Sequence, residues 1–89
     1  MRQGLYIDQF SEVFLRLLEK SGISCYGVSK FSGIDQAYLS RLRKGDKDHP
    51  SPEVVMRISL ALAHCSDKLS LHDIEELFNS TGRTLNIKY

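Results

Sequence analysis

No apolar run in this chain of 89 residues approaches the length of a membrane span. The opening "MRQGLYIDQF" has no signal-peptide core and carries Asp8 early, so a cytoplasmic location without a membrane partner is expected. Cysteine is scarce: Cys25 and Cys65 stand far apart, and nothing suggests export, so both are expected to be reduced, partly buried thiols. "HCSDKLSLHD" gathers His64, Cys65, His72 and Asp73, but one cysteine at that spacing fits no structural zinc pattern. No metal and no cofactor are expected. Also missing are a nucleophile beside a base, a paired-carboxylate site and a glycine-rich phosphate loop. Those absences argue against an enzyme, and no small-molecule ligand is evident.

Charge of one sign is lacking overall, since the net value is only +1. Its distribution is more informative. Between Lys30 and His49 five lysines and arginines face three aspartates, whereas four acids from Asp67 to Glu76 face only Lys68. The expected molecule has a basic middle and an acidic later helix. With 42% hydrophobic and 26% charged residues the chain has the balance of a soluble globular domain. Repeats and low-complexity tracts are absent, so a single domain over residues 1–79 is expected. The polar tail 80–89 remains as a possible dimerisation arm or short strand.

The periodicity that is present is helical throughout. Phe10, Val13, Phe14, Leu17 and Leu18 recur at the spacing of one apolar stripe, and Ser21-Gly22 ends it. Ser24 is placed to cap a second short helix, Gly33 breaks it, and Asp35 can cap a third that Gly45 stops. After the turn-rich "GDKDHPSP", Ser51 and Pro52 open a fourth helix. Leu71, Ile74, Leu77 and Phe78 mark a fifth. The expected helices lie near 7–21, 25–32, 35–44, 52–64 and 70–79, an all-α five-helix bundle. Within it Val28, Ile34, Leu39 and Leu42 should face inward, and His72 and Asp73 should be solvated.

Helices two and three have the makings of a helix-turn-helix: small residues Ser29 and Ser32 at the crossing and Gly33 in the turn. "GIDQAYLSRLRKG" and "HPSPEVVMRISLALA" together resemble the lambda-repressor-like helix-turn-helix family, which includes phage Cro and repressor domains and XRE-type regulators. The resemblance runs from about Phe10 to Phe78. It implies that the helix 35–44 enters the major groove of double-stranded DNA. In relatives the first turn of that helix and the residue one turn later meet base edges. The corresponding residues here are Gln36, Ala37 and Arg41.

Those residue types suit the task. Glutamine pairs with adenine, arginine with guanine, and alanine can touch a thymine methyl group. Tyr38, Ser40, Arg43 and Lys44 flank them as expected phosphate contacts, joined by Ser24 and by Lys47 on the following loop. Lys44 also complements its helix dipole, and Ser24 also caps. Three departures stand out, one of them Phe31 where a polar, often basic residue is usual. Cys25 takes the place of a glutamine that relatives use on a phosphate, and Arg43 stands where many carry glutamate.

The resemblance implies a transcriptional regulator, repressor-like and homodimeric, since one such module makes few base contacts. The alternative is a protein-interaction module of the same fold, for example one that binds a toxin or another regulator. Near-neutral charge, Cys25 and the apolar Phe31 lean that way.

Overall fold

The computed structural model describes residues 9–47 and 49–81. Five helices follow one another: α1 (Gln9–Ser21), α2 (Cys25–Ser32), α3 (Gln36–Lys44), α4 (Pro52–Cys65) and α5 (Leu71–Asn79). No strand occurs among the described residues. The fold is the expected all-α bundle of five helices, with α2 and α3 joined by a short turn. Residues 7 and 8 of the first expected helix, and residues 82–89 of the expected tail, lie outside the described part.

Each boundary has a local cause. Gly22, Gly33 and Gly45 all adopt φ between +76° and +85°, the left-handed region where a Cβ is costly. Gly22 and Gly33 close α1 and α2 by donating their N–H groups to Leu18 O and Ser29 O. At the opposite ends Ser24, Asp35, Ser51 and Ser70 accept a backbone N–H from three residues ahead. Each N-cap satisfies a donor, and each glycine N–H a carbonyl acceptor, that would otherwise have no partner within its helix.

All five helices feed one core. Phe10, Phe14, Leu17 and Leu18 come from α1, Val28 from α2, and Leu39 and Leu42 from α3. Val55, Ile58, Ala61 and Leu62 come from α4, and Leu77 and Phe78 from α5. Burying each large side chain contributes roughly 1.5–3 kcal/mol, which stabilises helices too short to persist alone. α2 packs against both α3 and α4, while α1 packs against α3 and α5. α3 is thereby held from behind and presents its other side outward.

Two expectations require correction. Asp73 is not solvated: it is 4% exposed, and its Oδ2 accepts from Lys20 Nζ at 2.8 Å and from Ser70 N at 2.9 Å. Its neighbour His72 is exposed as expected, so position within the same turn separates the two. Leu71 belongs to the apolar stripe by spacing but remains 54% exposed. It occupies the first position of α5, whereas the buried apolar residues of that helix lie in its second half.

Candidate nucleic-acid interface

The turn between α2 and α3 is only Gly33, Ile34 and Asp35, and hydrogen bonds on both sides hold it. Ser29 Oγ donates to Ile34 O at 2.6 Å, and Ile34 N donates to Ser32 Oγ at 3.1 Å. Ser29 and Ser32 therefore do more than allow close approach. They occupy the backbone groups of a turn that belongs to neither helix. Ile34 packs against the core from this turn, and Asp35 Oδ2 accepts from Tyr38 N at 3.1 Å to start α3. The angle of α3 relative to α2 is set by these contacts and by Leu39 and Leu42, both fully buried.

With one face committed, the remaining positions sort by helical geometry of about 100° per residue. Ala37, Arg41 and Lys44 form a row opposite the buried leucines, and all three are exposed. Gln36, Ser40 and Arg43 form a second row on one flank. They line a groove of about 360 Å³ together with Ser24 and Tyr26 of the α2 region and Glu19 of α1. Tyr38 turns to the other flank and is half-buried against the core. Lys47 lies past Gly45 on the loop, exposed.

The structure thus brings Ser24, Gln36, Ser40 and Arg43 to one groove, with Ala37, Arg41 and Lys44 on the adjoining surface. Tyr38 and Lys47 stand apart from both rows. Tyr26 is outside the expected set, although it precedes Val28 by two positions and Val28 is the buried residue of α2. Two residues correspond to about 200° on a helix, so an inward Val28 already directs Tyr26 outward.

Charge is arranged unevenly around this surface. Arg16 pairs with Glu76 at 2.9 Å, Lys20 with Asp73 at 2.8 Å and Arg57 with Glu53 at 2.9 Å. Among the described residues Arg41, Arg43, Lys44 and Lys47 have no acidic partner at ion-pair distance. The last turn of α3 therefore presents cations whose charge is not neutralised locally, beside the negative end of the helix dipole that holds them there.

A family model described as helix-turn-helix matches residues 15–66, more than half of the chain. The chain belongs to that helix-turn-helix family, of the XRE and lambda-repressor-like kind. It is a family of DNA-binding regulators rather than of enzymes. Its match takes in the later part of α1 and all of α2, α3 and α4, and leaves α5 outside. No curated protein and no solved structure matches the chain. In this helix-turn-helix protein the two cysteines are free and half-buried. None of its described helices is long and apolar enough to cross a membrane.

Proposed function

We propose that this protein binds double-stranded DNA in a sequence-specific manner and regulates transcription by occupying its site. Gln36, Ala37 and Arg41 meet base edges in the major groove. Ser24, Tyr38, Ser40, Arg43, Lys44 and Lys47 contact phosphates and fix the helix in register. The observation that carries this reading is the division of α3: Leu39 and Leu42 are buried in the core, while Gln36, Ala37 and Arg41 are exposed beside cations that have no acidic partner among the described residues. A homodimer doubles the footprint across half-sites about one helical turn apart.

Selection from random duplex DNA with the purified protein tests the reading, with light scattering of the bound complex for its stoichiometry. An enriched motif, bound as a dimer and weakening steeply with salt, is the expected outcome. Recovery of no motif overturns sequence-specific binding. One observation favours a second reading, a protein-binding surface. Phe31 is 56% and Leu60 62% exposed, and both line a cleft of about 290 Å³ with His64. Salt-insensitive association with a protein, without duplex binding, is the result that reading requires.

A further inference from the structure

Two polar side chains from different helices line the groove beside α3, and one of them has no part in the expected set. Tyr26 is the second residue of α2 and 60% exposed, so its phenol is not held by the core. Arg43 of α3 lines the same groove, half-buried and without an acidic partner among the described residues. Ser24 lines the groove as well, its Oγ already accepting from Gly27 N at 3.2 Å. Cys25 lines the same groove, and a thiol is only a weak hydrogen-bond donor.

We infer that Tyr26 and Arg43 hold a single backbone phosphate of the duplex between them, next to the base edge that Gln36 reads. This rests on the DNA-binding reading and adds a residue pair to it. A phenolic O–H and a guanidinium are both donors, and a phosphate oxygen is an acceptor that both can share. The groove also contains its own opposition. Glu19 of α1 lines it, exposed, and places a negative charge beside the same phosphate. Glu19 therefore lowers the affinity that Tyr26 and Arg43 supply, for any sequence, because a phosphate contact carries no base information.

The test uses the full chain and the duplex recovered by selection, with a scrambled duplex beside it. Tyr26→Phe loses about tenfold on both duplexes, the usual scale for a hydrogen bond to a charged group. Arg43→Gln loses about as much and flattens the salt slope by about one unit. The double variant is little weaker than Arg43→Gln alone, since both side chains act on one group. Glu19→Gln tightens binding to both duplexes by roughly twofold to threefold, a direction that damaged folding does not produce. Replacing that one phosphate with an uncharged methylphosphonate abolishes the difference between parent and Tyr26→Phe. A parent that binds no duplex overturns the DNA reading and this pair with it. A parent that binds, with Tyr26→Phe unchanged or with losses that multiply in the double variant, overturns the shared phosphate alone.

Discussion

Lys20 of α1 and Asp73 of α5 meet at 2.8 Å although 53 positions separate them in the chain. Asp73 has two tasks at once: it closes the capping box of its own helix with Ser70, and it ties α5 to α1. Its carboxyl is held below the ordinary 3.8, first by the hydrogen bond from Lys20 and then by the Ser70 backbone N–H, with burial working against them.

A depressed folded pKa makes this contribution complete above about pH 5 and lost as the pH falls through 3.8 toward the folded value. Asp73→Asn should destabilise the protein by about 1–3 kcal/mol at neutral pH. It should also reduce the loss of stability between pH 5 and pH 3. Lys20 is half-exposed and its side of the pair is screened, so Lys20→Ala should cost less, about 0.5–1 kcal/mol. Denaturant midpoints at the three pH values check both; an unchanged acid sensitivity in Asp73→Asn contradicts the assignment.

Gly33 opens the helix-turn-helix turn at φ +77°, and a Cβ there would meet only Arg57 Nη1 at 3.8 Å, an ordinary contact. The cost of Gly33→Ala is therefore conformational rather than steric crowding, about 1–2 kcal/mol. Thermal unfolding should report that loss. Measurement below the lowered transition should find DNA affinity nearly unchanged, because Ser29 and Ser32 still hold the turn. No loss of stability would mean that the left-handed turn is not strained by a side chain.

Arg41 and Lys44 share one exposed row, and the proposed function gives the first a base edge and the second a phosphate. Arg41→Ala should cost about 1–3 kcal/mol on the selected site and relax choice at one base pair. Lys44→Ala should weaken all duplexes alike and flatten the salt slope by about one unit. Competition titrations against specific and scrambled duplexes distinguish the two. Equal losses on both duplexes for Arg41→Ala would make this helix a general phosphate binder.

Much of this is legible in the sequence alone. Glycine needs no partner to favour a left-handed φ, and Ser24, Asp35 and Ser51 cap through atoms three residues away. The apolar stripes of α1 and α4 are likewise local patterns, set by 3.6 residues per turn. Leu39 and Leu42 mark the inner face of α3 in the same way, which leaves Gln36, Ala37, Tyr38, Ser40, Arg41, Arg43 and Lys44 outside by subtraction, although packing half-buries Tyr38, Ser40 and Arg43.

The rest depended on which elements meet. Asp73 read as a solvated acid because nothing in "LSLHDIEEL" announces Lys20; only the packing of α1 on α5 brings the ammonium to it. Tyr26 and Arg43 lie 17 positions apart, on helices whose crossing makes them walls of one groove with Glu19. Caps, stripes and turns were determined by the sequence itself, because their partners lie within a few bonds along the chain. Burial of a charge and the assembly of a groove were decided by the tertiary structure, because both depend on neighbours that only chain closure supplies.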